Sequence, residues 1–564
     1  MNFISKVKGV VSFENEIPVL LPISQGDGRP YIIKGKFSSK ITDGSLVECM
    51  ITRKKFRHVK ILKILAQKVF SKSLNSLTLI EKEIPTSFPE DLITESSKIN
   101  KPYSMDLHKN LTNLPFVTVD PSDAKDHDDA IYALKEVIGK NNSIYRVYVA
   151  IADVSYFVTE NSEIDLVAKE RGNSTYLPGL CIPMLPEYLS FDLCSLRENE
   201  IRPCILVEMV ISDRGEKTSH TFHRALIKNR KALTYLDLEH FRLNGSTRSS
   251  SYTKSLTALC EVYELLKEIT KKRSPLELNF TETSIEINNE DRVTKIEIDK
   301  KNVSHSIIEE LMILANICAI ETIQQKFGEA LFRVHPAPSN DKLSSIFSIE
   351  VGKNLRNKDE TSTALLNKLI KSTNDPTEKF SVQNKIIQIL EQASYSTKNI
   401  GHFGLNLDRY THFTSPIRRY SDIVIHRLLI HCITNTIDLG KYNSTEMSKI
   451  CKHISLTEKR SSDAERSAVR RYLARYMKRK LNEDFEGQIV NISRKVIFVK
   501  LDYLNAEGAI IVKQGKNDPL YFDKNSHGFR SRKTLRKIGI GAKISVKLID
   551  ANELNGRLTF EYLS

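Results

Sequence analysis

Several signatures of well-known protein classes are missing from this sequence of 564 residues. Its eight cysteines stand singly without a C-x-x-C pair, and no H-E-x-x-H motif occurs, so neither a zinc cluster nor a thioredoxin-like redox pair is indicated. No run of about 18 uncharged apolar residues is present to span a bilayer. Charged residues also stand at the N-terminus, where a secretory signal would be apolar. We therefore expect a cytoplasmic protein whose thiols are reduced and buried.

Positive charge is in excess, because 84 Lys and Arg stand against 69 Asp and Glu and give a formal net charge of +15. Such an excess indicates a polyanionic partner such as nucleic acid. The alternative is a chain rich in Lys, Asn and Ile because its genome is AT-rich, in which case the charge has no function. Hydrophobic residues make up 40% and charged residues 27%, as in globular proteins, and the length predicts several domains.

Short runs of alternating apolar and polar residues mark both ends of the chain. Near the N-terminus they predict five strands, at 7–13, 18–21, 31–36, 45–52 and 58–64. Towards the C-terminus alternation returns, at 487–493, 495–501, 508–512, 543–550 and 557–562. Five short strands in so little chain are typical of an OB-like barrel. Between the two barrels the pattern is α/β, and residues 306–323 are apolar almost all round, as in a buried helix.

A cluster of five carboxylates within ten residues directly follows an apolar strand, at Asp120, Asp123, Asp126, Asp128 and Asp129. Carboxylates this close repel one another unless a cation neutralises them or some are protonated. Hard oxygen ligands in this number suit Mg²⁺, with Mn²⁺ as the alternative ion. A solvated acidic turn is the competing interpretation, whereas an EF-hand is excluded because its central Gly and terminal Glu are missing. The apolar residues that closely bracket the cluster favour a metal site.

The segment 120–130 resembles the active-site signature of the RNB family of exoribonucleases, the ribonuclease II and ribonuclease R group. Segments similar to the family's later motifs follow in order, at 173–179, 182–186, 192–196, 309–316, 332–336, 402–405 and 411–422. The resemblance implies a multidomain fold in which small OB-like β-barrels flank a large α/β (α+β) RNB catalytic body. The implied domains are a cold-shock-like barrel at 1–67, a linker segment at 68–114, the RNB domain at 115–482 and an S1-type barrel at 483–564.

The resemblance also assigns roles to the clustered aspartates. Three of them match the ligands that hold Mg²⁺ beside the scissile phosphate in the family: Asp120, Asp126 and Asp129. Asp128 matches the aspartate whose loss in the family stops cleavage but leaves RNA binding intact. Asp123 matches the ribonuclease R form of the motif, and its role stays open. His127 is expected to pack, because hydrophobic residues occupy this position in relatives.

Arg418 is the cation predicted to lie at the scissile phosphate. Ser415 and Pro416 suit the N-cap and the first position of a helix, which predicts that Arg418 lies in its first turn. A cation there opposes the helix dipole unless an anion is near, and the free N–H groups of that turn favour a phosphate. By resemblance, Arg418 stabilises the phosphate charge, and Arg419 has a less well supported role in substrate binding.

Other residues are predicted to contact RNA. Tyr176 matches the family tyrosine that stacks on bases near the 3′ end, a contact that tolerates any sequence. The family's second stacking aromatic is missing after His335, where the sequence continues Pro-Ala-Pro, so Phe332 or a residue elsewhere would replace it. Residues 459–480 form a strongly basic helical pattern that by resemblance flanks the RNA. Within it Glu465 would contact the terminal ribose, since a carboxylate that accepts from a 2′-hydroxyl selects RNA over DNA.

The function implied by the resemblance is Mg²⁺-dependent, processive hydrolysis of single-stranded RNA from the 3′ end to nucleoside 5′-monophosphates, in RNA decay. The partner would be RNA with a free 3′ end, single-stranded or with a 3′ overhang, and the protein is expected to be a monomer that does not bind membranes. The alternative is a catalytically inactive RNB-like regulator that binds RNA. It is disfavoured because the motif aspartates and Arg418 are all present. The choice between the ribonuclease II and ribonuclease R subtypes stays open, as does the unwinding of duplex RNA.

Overall fold

The N-terminal part of the chain forms a small closed β-barrel. The computed structural model describes residues 6–14, 17–24, 29–35, 38, 40–67, 73–99, 103, 107–138, 142–245, 250–278, 283–298, 301–328, 330–350, 361–434, 444–512, 520–523, 528–532 and 537–563. The barrel strands are β1 (Lys6–Glu14), β2 (Ile17–Pro22), β3 (Tyr31–Ile33), β4 (Leu46–Arg53) and β5 (His58–Ala66), closed in the order β1-β2-β3-β5-β4. Val11, Leu20 and Val47 are fully buried inside, because alternate side chains of each strand point inward. The predicted five-stranded barrel is confirmed.

Two helices follow this barrel, α1 (Leu74–Lys82) and α2 (Glu90–Ser97). Helix α1 begins after Ser73, whose hydroxyl oxygen accepts a hydrogen bond from the Ser76 N–H at 3.2 Å. It packs against the long helix Ser444–Met477. The segment 68–114, expected to be a linker, thus contains helical structure, and the domain boundaries stay predictions.

A six-stranded mixed sheet forms the centre of the large middle part. Its strands are β6 (Lys109–Asn110), β7 (Phe116–Asp120), β8 (Asp129–Ile138), β9 (Asn142–Ala152), β12 (Ile201–Ser212) and β13 (Lys217–Thr234), in the order β12-β9-β8-β7-β13-β6. The hairpin β10 (Thr175–Leu177) and β11 (Leu180–Ile182) lies apart from it. Strand β7 is buried from Phe116 to Val119, as expected for an apolar strand inside a sheet. It ends at Asp120 and its antiparallel neighbour β8 begins at Asp129, so both aspartates lie at the same edge of the sheet.

Helices and short hairpins surround this sheet. The helices are α3 (Val154–Phe157), α4 (Glu163–Arg171), α5 (Tyr235–Asn244), α6 (Thr253–Arg273), α7 (Val303–Phe327), α8 (Asn340–Glu350), α9 (Ser362–Lys371), α10 (Pro376–Ile389) and α11 (Tyr420–Thr434). The hairpins pair β14 (Thr283–Ile287) with β15 (Val293–Ile298) and β16 (Phe332–Val334) with β17 (Ser394–Ser396). Helix α7 includes the segment 306–323 and buries residues all round it, such as Ile307, Leu311 and Cys318. The predicted buried helix is confirmed.

The long helix α12 (Ser444–Met477) leads into a second closed barrel. The remaining strands are β18 (Asp484–Ile492), β19 (Val496–Leu501), β20 (Glu507–Ile511), β21 (Leu520–Asp523), β22 (Gly528–Ser531), β23 (Lys537–Ile538), β24 (Lys543–Asn552) and β25 (Arg557–Tyr562). The barrel closes in the order β18-β19-β20-β25-β24, and β21–β23 form a separate small sheet. All five strands predicted for this region are therefore confirmed. Among the described residues, no helix combines the length and the apolar character needed to cross a membrane.

Arg471 in α12 joins three parts of the molecule. Its fully buried guanidinium donates to the carbonyl of Ile23 in the first barrel and to that of Leu554 in the second, both at 2.9 Å. It also forms an ion pair with Glu81 of α1 at 2.5 Å. The prediction that the basic run 459–480 flanks RNA is thus wrong for this residue, because its charge is neutralised by a partner far away in the sequence.

Candidate active site

The acidic loop between β7 and β8 is held by residues from a distant segment. The backbone N–H of His127 donates to the Ser195 hydroxyl oxygen at 3.1 Å, and that hydroxyl donates to the Lys125 carbonyl at 2.9 Å. The N–H of Leu196 donates to the His127 carbonyl at 3.0 Å. The segment 192–196, noted in the sequence as a family motif, therefore fixes the path of the loop that carries the aspartates.

Asp128 is buried and links this loop to the segment that carries Arg418. Its Oδ1 accepts a hydrogen bond from the Ile417 N–H at 2.9 Å, and its Oδ2 lies 3.6 Å from Arg418 Nε. Burial raises the pKa of Asp128, while the charge of Arg418 and the hydrogen bond from Ile417 act in the opposite direction. One carboxylate thus contacts both the backbone and the side chain of the Arg418 turn.

Asp129 lies among charged side chains of both signs. Its burial, followed by the charge of Asp120, raises the pKa of Asp129 to about 7. Asp126 lies on the same loop, and its Oδ2 accepts a hydrogen bond from the Tyr176 hydroxyl at 3.1 Å. Buried carboxylates that repel one another are the arrangement that a bound cation relieves.

His127 does not simply pack, as the sequence had suggested. Its Nδ1 lies 2.7 Å from Asp120 Oδ2, and both side chains are about one-sixth exposed. Burial lowers the pKa of His127, but the hydrogen bond to Asp120 and the neighbouring carboxylates outweigh it, so that the net shift is upwards. The expectation was wrong because a histidine at this position can interact with an aspartate seven residues earlier, which a hydrophobic residue cannot do.

The donor chemistry of the loop fits a hard divalent cation. Carboxylate oxygens are the ligands that Mg²⁺ prefers, and Asp120, Asp126 and Asp129 all belong to this loop. In the described part of the chain, however, no group of three or more His, Cys, Asp or Glu side chains is gathered closely enough to hold an ion as it stands. Two of the three carboxylates interact instead with His127 and Tyr176. Binding of an ion would therefore replace these contacts.

Arg418 lies in a turn that precedes α11, whereas the sequence predicted it inside the first turn of a helix. The helix begins only at Tyr420. The prediction was wrong because partners from elsewhere, rather than a Ser415 cap, fix this segment: Asp422 Oδ1 accepts the Ser415 N–H at 2.8 Å, and Asp128 accepts the Ile417 N–H. The Arg418 side chain is about half exposed, so its guanidinium can reach a ligand.

Arg419, predicted to bind substrate, is committed to an internal ion pair. Its Nε and Nη2 donate to the two carboxylate oxygens of Asp422 at 3.0 and 2.7 Å. The Asp422 side chain is fully buried. Arg419 nevertheless lines the same cavity as Arg418, so its contribution to substrate binding stays a prediction.

Two adjacent cavities meet at Tyr176. The central cavity, of about 230 Å³, is lined by Tyr176, Arg418, Arg419, Tyr395 and Glu458, among others. The large cavity, of about 1,210 Å³, is lined by Tyr176, Asp123, Glu465 and residues of the second barrel. Tyr176 is 39% exposed, and its ring is available to both. The structure thus brings Tyr176 beside Asp126 and Arg418. Asp123 and Glu465 line the large cavity and not the central one.

Phe332 does not serve as the second stacking aromatic that the sequence lacks after His335. That ring is only 3% exposed and belongs to the core, so it cannot contact a base. Sequence reasoning also missed Tyr395 and Glu458, which line the central cavity. Glu458 precedes Glu465 by seven residues and thus lies on the same face of α12, a spacing that could have revealed it. For Tyr395 the sequence gives no signal.

Tyr235 is another missed neighbour of the aspartates. It opens α5 directly after β13, whose Thr234 pairs with Asp120 in β7. Its ring stacks on His305 with the centroids 3.9 Å apart. Burial, then the charges of Asp129 and Asp120, raises the pKa of Tyr235 to about 12. Only the parallel pairing of β7 with β13, which the sequence does not reveal, could have placed it here.

Comparisons with known proteins agree with this geometry. The RNB domain family matches residues 108–435. Ribonuclease R of Escherichia coli is 31% identical over 522 residues, which cover 90% of this chain and 64% of that protein, so the chain spans less than two thirds of its length. The solved structure of Mycoplasma genitalium RNase R in complex with ribose methylated single-stranded RNA has a TM-score of 0.86 and 25% identity, covering 99% of this chain and 89% of that one.

A further solved structure shows the fold alone. Yeast Ssd1, a pseudonuclease, matches with a TM-score of 0.68 at 16% identity, covering 94% of this chain and 68% of that one. A likeness of this kind is no guide to activity, because one fold can carry different functions. The family resemblance and the multidomain fold inferred from the motifs are nevertheless confirmed by the domain match and the full-length structural match. The chain belongs to the RNB family.

Proposed function

We propose that the protein is a 3′→5′ exoribonuclease that hydrolyses single-stranded RNA processively to nucleoside 5′-monophosphates. The observation that carries this proposal is the contact between buried Asp128 and half-exposed Arg418 at a cavity lined by Tyr176. A cation for the phosphate, buried carboxylates and an aromatic ring for a base are thus present within one site. The substrate would be RNA with a free 3′ end, bound by a monomer in the cytoplasm.

Two residues have different roles in cleavage: Arg418 contacts the scissile phosphate, and Asp128 holds the turn that carries Arg418. The oxygen of a water molecule forms a bond to phosphorus, the bond from phosphorus to the 3′ oxygen breaks, and that oxygen takes up a proton. Arg418 donates hydrogen bonds to the phosphate as its charge increases. Asp128 holds the turn through the Ile417 N–H and keeps the guanidinium oriented. Arg419 supports the same turn through Asp422.

A divalent ion completes the chemistry. Asp120, Asp126 and Asp129 would hold it, with Mg²⁺ as the expected ion and Mn²⁺ as the alternative. When bound, it supplies a water of lowered pKa and neutralises charge on the phosphate. The raised pKa of Asp129 is consistent with this assignment, because burial and then the charge of Asp120 disfavour its ionised form, and Arg418 and His127 only partly offset them.

The two cavities suggest how the strand is bound. Tyr176 would stack on a base near the 3′ end, and the large cavity would hold the nucleotides before it. Glu465 lines that cavity and would accept a hydrogen bond from a 2′-hydroxyl, which DNA lacks. Glu458, in the central cavity with Arg418, is a second carboxylate in a position to contact the terminal ribose.

Degradation of a 5′-labelled single-stranded RNA, with Mg²⁺ and with EDTA, tests the proposal directly. With Mg²⁺ we expect full-length RNA to give way to short 5′-labelled end products with few species of intermediate length, as processive degradation from the 3′ end requires, and unlabelled nucleoside 5′-monophosphates to appear beside them; with EDTA the RNA should stay intact. Bound but undegraded RNA in the presence of Mg²⁺ or Mn²⁺ would instead identify an inactive RNA-binding member of the family. A companion duplex with a 3′ overhang measures whether the enzyme unwinds structured RNA.

A further inference from the structure

A third cavity, here named the side cavity, adjoins the central cavity and has a volume of about 650 Å³. Tyr395 and Glu458 line both cavities, so the two are neighbours at these side chains. Further along the side cavity are Lys452 and Leu456, and Leu456 is 68% exposed. The side cavity therefore extends from the active site towards solvent, and its volume lies in the range of roughly 300–1,000 Å³ that is usual for small-molecule sites.

The side cavity is strongly cationic. Its lining includes four basic side chains and one carboxylate: Arg333, Lys452, Lys459, Arg466 and Glu458. Arg333 pairs with Glu458 at 2.5 Å, and Arg466 pairs with Asp463 at 2.6 Å. No ion pair to Lys452 or Lys459 is found among the residues that the structure describes. These two lysines are seven residues apart on one face of α12 and thus form a positive pair without an anion.

A guanidinium plane stacked on an aromatic ring lies at the inner end of the side cavity, and its charge is paired with Glu458. The Arg333 guanidinium lies over the Tyr395 ring, 4.8 Å from its centroid. The Tyr395 hydroxyl lies 2.8 Å from His412 Nδ1 and accepts a hydrogen bond from the Ser421 hydroxyl at 3.1 Å, which fixes the ring. Arg guanidinium planes are surfaces on which nucleic-acid bases stack. The side cavity thus combines a guanidinium plane with two lysines that have no ion pair among the described residues.

We propose that the side cavity binds the nucleoside 5′-monophosphate after cleavage and is the route by which it leaves. This inference rests on the proposed exoribonuclease function. Cleavage turns a phosphodiester with one negative charge into a monoester with a charge of about −1.5 to −2, which Lys452 and Lys459 attract more strongly. Because the large cavity still holds the remaining strand, the product needs a separate way out.

The test is a double charge reversal, Lys452→Glu with Lys459→Glu, in the full chain. Adenosine 5′-monophosphate is added to RNA degradation assays, and its inhibition constant is measured for the wild type and the variant. We expect the inhibition constant to rise by about tenfold or more in the variant. RNA affinity, measured in an Asp128→Asn background, should change by no more than about twofold, because the strand lies in the large cavity, which shares Ser462 and Arg466 with the side cavity but is lined by neither lysine.

A matched control separates local binding from general electrostatics. Lys267→Glu with Lys271→Glu makes the same charge change on α6, and neither residue lines the three cavities. It should leave inhibition by adenosine 5′-monophosphate unchanged. An unchanged inhibition constant in the Lys452 and Lys459 variant, or an equal loss of RNA affinity, overturns the side-cavity proposal alone. A wild-type protein that releases no mononucleotide overturns the proposed function itself.

Discussion

Asp128 makes two different contacts through one carboxylate. One oxygen holds the Ile417 N–H and the other faces Arg418, so the side chain links the acidic loop to the turn that carries the cation. The site therefore depends on two segments that are 289 residues apart in the chain. Substitutions of Asp128 and Arg418 distinguish the effect of the hydrogen bond that holds the turn from the effect of the two charges.

Asp128→Asn should abolish degradation and preserve RNA binding. The amide keeps an oxygen that can accept the Ile417 N–H, so the turn stays in place, but the negative charge beside Arg418 is lost. Release of labelled mononucleotide and the Kd for single-stranded RNA are the two measurements. The control is Asp213→Asn, an exposed carboxylate between β12 and β13. Loss of RNA binding along with activity would contradict the assigned role.

Arg418→Ala should slow cleavage by raising the barrier by about 2–4 kcal/mol, the order found when a donor that stabilises developing charge is removed. The cause is the loss of hydrogen bonds to the phosphate, which become stronger as cleavage proceeds. Single-turnover rates with saturating protein measure the effect. Arg214→Ala, at an exposed position in the turn between β12 and β13, serves as the control. A wild-type rate in Arg418→Ala would exclude this residue from the site.

Whole elements were predicted from the sequence where their pattern is local. The strands of both barrels follow from period-two alternation, and α7 follows from an apolar run too long for a strand. Predictions failed where a distant partner decides the structure. The helix expected to begin at Ser415 begins at Tyr420, and the residues before it form a turn in which Asp422 accepts the Ser415 N–H and Asp128 accepts the Ile417 N–H.

In the candidate site, too, residues in local motifs could be predicted and residues brought in by distant contacts could not. The aspartates and Arg418 could be named from spacing and family motifs, and the structure brings Asp128 and Arg418 into contact. Tyr235 and Tyr395 could not be named, since they reach the site through the pairing of β7 with β13 and through the cavity beside α12. The metal-ligand set itself stays a prediction.

In the molecule as a whole, α12 connects the two barrels to the part that contains the six-stranded sheet. Arg471 bonds to Ile23, Glu81 and Leu554, one from each part it joins, and it is fully buried. This arrangement fixes the barrels relative to the large cavity, which the second barrel helps to line. The basic helix α12 is thus a structural support, and its role beside RNA stays a prediction.

Arg471→Ala should destabilise the protein by about 3–5 kcal/mol, because it removes the buried partner of two carbonyls and of the Glu81 carboxylate, which keeps Lys82 as a partner. Chemical denaturation followed by fluorescence or circular dichroism measures the loss. Arg479→Ala, an exposed position that follows α12, is the matched control and should have little effect. Equal stability of the two variants would show that Arg471 does not hold the three parts together.

Direct detection of a bound divalent ion tests the proposed mechanism most closely, because hydrolysis depends on the acidic loop holding one. Electron paramagnetic resonance counts the Mn²⁺ bound to the wild type and to the Asp126→Asn, Asp129→Asn double variant. We predict a bound ion in the wild type and its loss in the variant. Absence of bound Mn²⁺ in the wild type, or equal binding by both proteins, would contradict the metal-dependent site.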